Sequence, residues 1–306
     1  MTFRFEYRTY QRKFRQPLKT HHGVWALREG ILIRLEDEAG RVGFGEIAPL
    51  EWFGSESIED AIALCESAPN TIDPDWIQNV SLPACQFGFE TALGSPLNSL
   101  NFETRNFSAL LAKIEDWKLL WSQGYRTFKL KIAVAPIEIE IATLKSLLDE
   151  LPEEASIRLD ANMGLSEVET HQWLEFYESH NVEFIEQPMG IDQFETMLKL
   201  SQQYRTAIAL DESVATLGQL RDCYDRGWRG IFVIKPAIAG FPSKLREFCQ
   251  QHSIDTVFST VFETAIGRRM GLQLAAELSN RAVGYGTSHW FEDLNSEDFE
   301  ELWNSL

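Results

Sequence analysis

A regular alternation of short apolar runs and amphipathic stretches fills the chain from about residue 106 onward. The runs are FSALL, RTFKLKIAV, SIRLD, VEFIE, AIALD, GIFVIK, DTVFST and AVGYGT. Short runs rich in β-branched residues are typical of strands that are buried on both faces, and the stretches between them have helical spacing. Eight strands separated by seven helices predict a parallel sheet of repeated βα units, and about 200 residues suffice to close it into a barrel.

The first 95 or so residues have a different pattern. Residues 3–15 alternate between two kinds of side chain, mostly aromatic and mostly charged, which predicts a half-buried strand. Two more strands are predicted at 30–37 and 42–48, with a tight turn between them. The motif Ser57-x-x-Asp60 then predicts the start of a helix. This order of elements indicates an α+β unit with antiparallel strands.

The change of pattern falls near residues 95–100, and no long linker, low-complexity tract or run of like charges marks it. We therefore predict two domains of unequal size, an α+β domain over residues 1–97 and a barrel over residues 98–288. Two domains agree with a length of 306 residues.

Charged side chains end four successive strands of the predicted barrel. Asp160, Glu186, Asp211 and Lys235 follow one another at intervals of 24 to 26 residues. The carboxyl ends of barrel strands meet on one face, where barrel enzymes have their active sites. A single aspartate after a strand is most often a helix N-cap, but three neighbouring carboxylates repel one another unless a cation lies among them. The pattern predicts a Mg²⁺ site formed by the three acids.

Two lysines lie on the strand before this cluster. Lys129 and Lys131 are two residues apart, so both side chains point to the same side of the strand, away from its apolar residues. That side is the barrel interior, where a charge without a partner is costly. Lys235 comes from a strand across the barrel and places a lysine on the other side of the acids. The alternative interpretation is that the lysines only form structural salt bridges with these acids.

This combination suits the removal of a proton next to a carboxylate. A divalent cation can hold the carboxylate and stabilise the second negative charge that forms on it as an enediolate. A lysine whose pKa is lowered by neighbouring positive charge can act as the base. Two alternatives stay open: an aldolase-type Schiff base on Lys235, which gives the metal cluster no purpose, and a non-catalytic barrel, which needs neither Lys131 nor Lys235.

The composition limits the partners of the chain. It has 28 Lys and Arg against 46 Asp and Glu, a net charge of −18 at pH 7. Nucleic acids and anionic membranes bind clustered basic residues, and no run approaches the roughly 18 apolar residues of a membrane span. The four cysteines form no CxxC pair, which favours a reducing compartment. We expect a cytoplasmic enzyme with a small-molecule substrate and no nucleic-acid or membrane partner, and the oligomeric state stays open.

Five motifs follow in order along the barrel: KLK at 129–131, DAN at 160–162, EQP at 186–188, DES at 211–213 and IKP at 234–236. Together they resemble the muconate-lactonising subgroup of the enolase superfamily. Within that subgroup the chain is similar to the o-succinylbenzoate synthase family over essentially its full length. The further segments that carry this similarity are REG at 28–30, GFGEIAPLEWFGSES at 43–57, RTFKLKI at 126–132, FSTVFETAIG at 258–267 and GYGTSHWFEDL at 284–294.

The resemblance implies a modified (β/α)7β TIM-like barrel with an N-terminal α+β capping domain, to which the tail at about 289–306 returns. It implies Mg²⁺ bound by Asp160, Glu186 and Asp211. Lys131 would remove the proton and return it to the departing hydroxyl group, while Lys235 would stabilise the enediolate from the opposite face by a cation–π contact.

The resemblance also implies supporting roles. Lys129 would lower the pKa of Lys131, and Asn162 would support the metal site. Ser259 and Thr260 would contact the succinyl side chain of the substrate.

The implied reaction is the syn-dehydration of 2-succinyl-6-hydroxy-2,4-cyclohexadiene-1-carboxylate, a dianion, to 2-succinylbenzoate, an intermediate of menaquinone or phylloquinone synthesis. The segments 20–26 and 51–56 would cover the site with an apolar lid of Trp25, Trp52 and Phe53. We assign no catalytic role to His21 or His22, because the lysines already fill those roles.

Two related reactions use the same pair of lysines on the same scaffold, dipeptide epimerisation and N-succinylamino acid racemisation. Dipeptide epimerases usually carry an Asp-x-Asp motif after the last barrel strand, and the segment 284–294 has none. This counts against the epimerase and leaves racemisation open as a side activity.

Overall fold

The computed structural model describes residues 1–20, 23–94, 102–178, 180, 182–286, 290–294 and 296–306. His21, His22 and the predicted domain boundary lie outside the described residues. The described strands form one antiparallel sheet and one curled parallel sheet.

The antiparallel sheet has four strands in the order β3-β2-β1-β4. The elements of this part of the chain are β1 (Phe3–Thr20), β2 (Gly23–Asp37), β3 (Val42–Ile47), α1 (Ile58–Ser67), β4 (Thr71–Ile72), α2 (Pro74–Gln78) and α3 (Pro83–Ala92). The three predicted strands are present, but β1 and β2 extend further than the apolar alternation does. The residues added to β2 are 23–29, and 23–27 are mostly exposed, so no hydrophobic pattern marks that part.

Local signals explain where these elements begin and turn. The Ser57 hydroxyl caps α1 by accepting a hydrogen bond from the Asp60 N–H at 3.0 Å. The Asp37 carboxylate closes the turn between β2 and β3, where it accepts hydrogen bonds from two backbone N–H groups at 2.9 Å. Gly40 in this turn has a φ of 77°, a left-handed conformation that favours glycine.

The parallel sheet has seven strands in sequence order. The strands are β5 (Ser108–Leu110), β6 (Thr127–Lys131), β7 (Ser156–Asp160), β8 (Val182–Glu186), β9 (Ala207–Leu210), β10 (Ile231–Ile234) and β11 (Thr256–Phe258). The helices are α4 (Trp117–Ser122), α5 (Ile137–Glu150), α6 (Glu167–Tyr177), α7 (Phe194–Gln203), α8 (Leu217–Asp225), α9 (Pro236–Ala239), α10 (Pro242–His252) and α11 (Ala265–Leu278), with α12 (Phe299–Asn304) in the tail.

The segment predicted as the eighth strand closes the barrel through isolated bridges. Val283 pairs in parallel with Phe107 beside β5, and Gly284 pairs in parallel with Ser259 beyond β11. Backbone hydrogen bonds of 2.8–2.9 Å join this segment to both edges of the sheet. The predicted fold, a (β/α)7β barrel with an N-terminal α+β domain, is confirmed.

A separate apolar cluster fills the barrel below the strand ends. It consists of Phe184, Ala209, Ile231, Val233 and Val257. The main core lies between the barrel strands and the surrounding helices and continues into the first domain. The carboxyl ends of the strands are therefore the part of the interior that is left for polar groups.

The C-terminal helix α12 packs against the first sheet. Leu302 and Trp303 form a cluster with Tyr10 and Leu32, and the Arg8 guanidinium donates to the Trp303 carbonyl at 2.6 Å. These contacts are the ones expected of a C-terminal tail that returns to the first domain. The division at residue 97 stays a prediction.

No helix in the described ranges is both long and apolar enough to span a membrane.

Candidate active site

The strand ends bring the predicted functional side chains to one cavity. Asp160 and Glu186 are the last residues of β7 and β8 and pair with each other across these strands. Asp211 and Lys235 directly follow β9 and β10. On β6, Lys131 pairs with Asp160. The cavity is lined by these five residues and by Lys129, Asn162, Ser259 and Thr260.

Two of the three lysines are paired with the acids. Lys129 Nζ lies 2.8 Å from Asp160 Oδ2 and 2.7 Å from Glu186 Oε1. Lys235 Nζ forms a short contact with Asp211 Oδ1. Lys131 makes no ion pair with any residue that the structure describes. The salt bridges of the alternative interpretation thus exist, but they leave out the lysine predicted to be the base.

Burial and charge together shift the pKa values in this cluster. Burial lowers the pKa of Lys129, but the carboxylates of Asp160 and Glu186 outweigh it and raise that pKa above its usual range. Burial raises the pKa of Glu186 to about 8 and also raises the pKa of Asp211. Burial acts the same way on Asp160, but Lys129 outweighs it and lowers that pKa. Glu186 and Asp211 therefore favour their neutral forms more than a free carboxyl group does, while Asp160 favours its charged form.

Gln187 joins the ends of β8 and β9. Its side chain is fully buried, and its Nε2 donates to Ser213 Oγ at 2.8 Å while its Oε1 accepts from the Asp211 N–H at 2.9 Å. Its φ of 35° turns the backbone directly after Glu186. Gln187 therefore fixes two of the acids relative to each other. Its place in the EQP motif was the only sequence signal for this role.

A fourth carboxylate lies beside Asn162. The Asn162 N–H donates to Asp160 Oδ1 at 3.2 Å, and its side-chain amide donates to Glu212 Oε1 at 3.3 Å. Glu212 is buried, which raises its pKa, and its Oε2 has no hydrogen-bond partner among the described residues. The run AIALD indicated Asp211 as its last residue and gave no such signal for Glu212, which comes one residue later.

Ser259 and Thr260 differ in what their hydroxyl groups can do. Thr260 Oγ1 donates to Glu263 Oε2 and accepts from the Phe262 N–H, both at 2.7 Å. That hydroxyl is therefore used within the loop after β11. Ser259 is half-buried and lines the same cavity. The predicted substrate contact through these residues stays a prediction, and Ser259 is the better placed of the two to donate a hydrogen bond.

Aromatic side chains cover the cavity, which has a volume of about 410 Å³. Trp25 and Trp52 of the first domain meet edge to face, with 5.6 Å between their ring centroids. Phe262 meets Trp25 in the same way at 5.4 Å, and Phe53 is buried at the cavity wall. This volume is in the range of small-molecule sites. The aromatic cover lets such a ligand lie away from water.

A buried arginine lies below the acids. Arg158 is two residues before Asp160 on β7, and its Nε donates to Glu183 Oε2 at 2.7 Å. The register between β7 and β8 shifts beside Glu183, and this irregularity accompanies the contact between the two side chains. The alternation of side chains along β7 was a sequence signal that Arg158 points into the barrel, as Asp160 does. Nothing in the sequence indicated the irregularity in β8.

Comparison with known families identifies the class of protein to which this fold and site belong. Residues 113–303 match the model described as enolase C-terminal domain-like, and residues 7–95 match the model described as the MenC N-terminal domain. A barrel with acids and lysines at its strand ends and a capping domain before it defines an enzyme of the enolase superfamily.

Two individual relatives show to which family within this superfamily the chain belongs. The o-succinylbenzoate synthase of Thermosynechococcus vestitus is 39% identical over an alignment 322 residues long, gaps included, and the alignment covers 99% of each chain. The crystal structure of o-succinylbenzoate synthase from Thermosynechococcus elongatus BP-1, complexed with Mg in the active site, is 37% identical with a TM-score of 0.92 and covers 99% of this chain and 100% of that one. The chain belongs to the o-succinylbenzoate synthase family.

A solved structure of much lower sequence identity has a similar fold. The L-Ala-D/L-Glu epimerase from Bacillus subtilis, in a substrate-liganded complex, has a TM-score of 0.78 and 19% identity, and covers 95% of this chain and 91% of that one. At this identity the likeness concerns the fold alone.

Proposed function

We propose that this chain converts 2-succinyl-6-hydroxy-2,4-cyclohexadiene-1-carboxylate to 2-succinylbenzoate by removing water, a step of menaquinone or phylloquinone biosynthesis. One observation carries the proposal. Lys131 on β6 and Lys235 after β10 line one cavity from two sides, and Asp160, Glu186 and Asp211 lie at the carboxyl ends of the strands between them. The family to which the chain belongs supports the same reaction.

Mg²⁺ is the cofactor that fits this site. Its donors are all carboxylate oxygens, as Mg²⁺ prefers, and Glu212 beside them has a buried oxygen with no partner. In the part of the chain that the structure describes, no three acidic, histidine or cysteine side chains enclose a metal position as they stand, and Lys129 lies between two of the acids. Asp160, Glu186 and Asp211 would hold the ion. When bound, it supplies positive charge for the substrate carboxylate.

Lys131 removes the proton on the ring carbon that bears the carboxylate. Of the three site lysines it is the one that makes no ion pair with a described residue, and a base must be free to approach the carbon. The electron pair of the broken C–H bond first spreads over the carboxylate and the ring as an enediolate, and it then forms the new ring double bond as the C–O bond breaks. Lys131 then gives its proton to the departing hydroxyl group, so water leaves and the amine is restored. One base on one face serves both steps, which makes the elimination syn.

The other two lysines act through their charge. Lys235 faces the ring from the opposite wall, where its ammonium group stabilises the negative charge that spreads over the ring. Lys129 stays protonated because its carboxylate partners raise its pKa. Its positive charge stabilises the negative charge that develops on the substrate.

The remaining predicted residues have supporting roles in this proposal. Asn162 holds Asp160 and Glu212 by the hydrogen bonds described above. Ser259 and Thr260 line the wall on which the succinyl group of the dianionic substrate lies. The aromatic cover of Trp25, Trp52 and Phe53 excludes water.

We also infer that the enzyme works in the cytoplasm. Its four cysteines are free and buried, a state that a reducing compartment preserves.

Epimerisation and racemisation are less well supported, because the Asp-x-Asp motif is missing and the epimerase shares only the fold. We expect kcat/KM for the dehydration to exceed that for an N-succinylamino acid by a wide margin. Comparable values would contradict the assignment.

Two substitutions test the roles of the lysines. Lys131→Ala and Lys235→Ala should each abolish turnover while the circular dichroism spectrum stays that of the wild type. Lys145→Ala, on the exposed side of α5, is the matched control and should keep full activity. Substantial turnover in either site variant would show that the assigned roles are wrong.

A further inference from the structure

Phe53, a residue of the first domain, lies against a lysine of the barrel. Lys235 Nζ is 4.0 Å from the centroid of the Phe53 ring, and the two residues are only 9% and 7% exposed. We propose that Phe53 is a positioning residue that holds the ammonium group of Lys235 in its working place through a cation–π contact. This rests on the role proposed above for Lys235.

The backbone around Phe53 is fixed on both sides. Phe53 ends a short 3₁₀ turn in which its N–H donates to the Leu50 carbonyl at 2.9 Å. Gly54 follows with a φ of 123° and lies so close to the barrel that an added Cβ would be 3.2 Å from the Ala215 Cβ. The Glu56 carboxylate then accepts two backbone N–H groups of α3 at 2.9 and 3.0 Å. The ring is therefore held in one position over the lysine.

The same ammonium group has two neighbours of different kinds. Lys235 Nζ is bound to Asp211 Oδ1 and contacts the face of the Phe53 ring. Asp211 is also a proposed Mg²⁺ ligand, so in the complete enzyme its negative charge would be shared between the Lys235 ammonium group and the Mg²⁺ ion. The phenyl face attracts a buried ammonium group without adding an acceptor that would take one of its protons. Because a lysine side chain is long and flexible, the loss of this contact lets its head group move.

Phe53→Leu tests the proposal because it keeps an apolar side chain and removes the ring. In steady-state kinetics with the cyclohexadiene substrate, we expect kcat to fall about ten-fold, or about 1.4 kcal/mol, with KM within about two-fold of the wild type. Phe241→Leu is the matched control. It removes a similar contact, since Lys244 Nζ lies 4.6 Å from the Phe241 ring, but Phe241 does not line the cavity. We expect its kcat to change less than two-fold.

A second measurement does not depend on turnover. Phe53→Leu, Lys235→Met and the double variant form a cycle in which the equilibrium constant of unfolding is measured in urea. We expect the two substitutions to be coupled by a factor of about ten. Absence of coupling would overturn the proposal, and so would a Phe53→Leu variant that raises KM and leaves kcat unchanged. If the proposed reaction itself is wrong, the wild type will show no turnover while the coupling in the cycle persists.

Discussion

Lys129 and Lys131 show how two identical side chains on one strand can take different parts in a reaction. Lys129 lies between two carboxylates, and these raise its pKa above the usual range. A permanently protonated lysine cannot accept a proton, but it can supply fixed positive charge. Lys131 has no ion pair within the described part of the chain and borders the cavity. The division into base and charge donor thus follows from the position of each residue relative to the ends of β7 and β8.

The four cysteines have no such chemical role, and their surroundings give a direct prediction. Burial raises the pKa of Cys65 and Cys249 to about 12 and that of Cys223 to about 11, and it raises the pKa of Cys85 further. Because the thiolate is the reactive form, we expect no reaction of the native protein with a disulfide reagent such as dithionitrobenzoate at pH 8. In guanidinium chloride four thiols should react. Rapid labelling of any thiol in the native protein would contradict this.

The residues of the site were predictable where they end a strand. A buried apolar run that stops at Asp160 or Glu186 fixes the height of that residue in the barrel, because parallel strands end on one face. Gln187, Glu212 and Phe53 could not be placed in this way. Gln187 and Glu212 follow a strand end, and the position of Phe53 depends on how the first domain lies on the barrel.

At the scale of elements, the loop between β6 and α5 is held by one acid. The Glu140 carboxylate accepts hydrogen bonds from the N–H groups of Ala133, Val134 and Ala135 at 2.8–3.0 Å. This loop begins directly after Lys131, the proposed base. The backbone that carries the lysine is therefore fixed on its carboxyl side as well as by β6.

Glu140→Ala tests this loop. We expect the free energy of unfolding to fall by about 1–2 kcal/mol, because three N–H groups lose a charged acceptor in a partly exposed place. We also expect kcat to fall several-fold as the loop after Lys131 loosens. Urea unfolding and steady-state kinetics measure both effects. Glu138→Ala, an exposed acid of the same turn of α5, is the control and should leave kcat unchanged. Equal effects of the two variants would contradict the prediction.

The register shift in β8 allows a second element-scale prediction, on pH dependence. Burial raises the pKa of Glu183, but hydrogen bonds and charge from Arg158 and Arg281 outweigh it and leave the pKa lowered. A carboxyl group whose pKa is lower in the folded state stabilises the fold above its unfolded-state pKa. That stabilisation is lost as the pH falls through the folded-state pKa.

Glu183→Gln should therefore lower the free energy of unfolding by about 2 kcal/mol at pH 7. The difference from the wild type should shrink below about pH 4, where the wild-type carboxyl group also loses its charge. Urea unfolding of both proteins at pH 7, 5 and 3.5 measures this difference. A difference that does not change with pH would show that the charge of Glu183 is not what stabilises this part of the barrel.

The elements themselves were predictable in proportion to their burial. The barrel strands are buried on both faces, so their apolar runs mark them clearly. The outer parts of β1 and β2 pair with each other, and residues 16–17, 23–24 and 26–27 are exposed, so their side chains leave no apolar pattern. In the residues that the structure describes, the eighth strand is present as bridges at Val283 and Gly284. The run AVGYGT correctly predicted a segment that closes the sheet, but its side chains did not indicate that it pairs through isolated bridges.

At the scale of the whole molecule, a buried acid joins the sheet of the first domain to helix α11 of the barrel. Glu46 on β3 is fully buried and accepts hydrogen bonds from the Tyr10 hydroxyl, the Thr264 N–H and hydroxyl, and the Gly267 N–H. Thr264 and Gly267 belong to the start of α11 in the barrel. The amino end of a helix favours a negative charge. This contact couples the capping domain to the loop that carries Thr260.

Glu46→Ala should therefore be among the most destabilising single substitutions in this protein. We expect the free energy of unfolding to fall by about 3–5 kcal/mol, because several buried donors lose their acceptor at once. Glu153→Ala, an exposed acid in the loop after α5, is the control and should change it by less than about 0.5 kcal/mol. Urea unfolding measures both, and a loss below about 1 kcal/mol for Glu46→Ala would contradict the role of this contact.

The central claim, a Mg²⁺-dependent dehydration at the strand ends of the barrel, is tested most directly by the change in ultraviolet absorbance as 2-succinyl-6-hydroxy-2,4-cyclohexadiene-1-carboxylate is converted by the purified protein. The absorbance change should be rapid with Mg²⁺, should stop after treatment with EDTA, and should return when Mg²⁺ is added back. Full activity in EDTA, or no conversion by the folded protein in excess Mg²⁺, would contradict the claim.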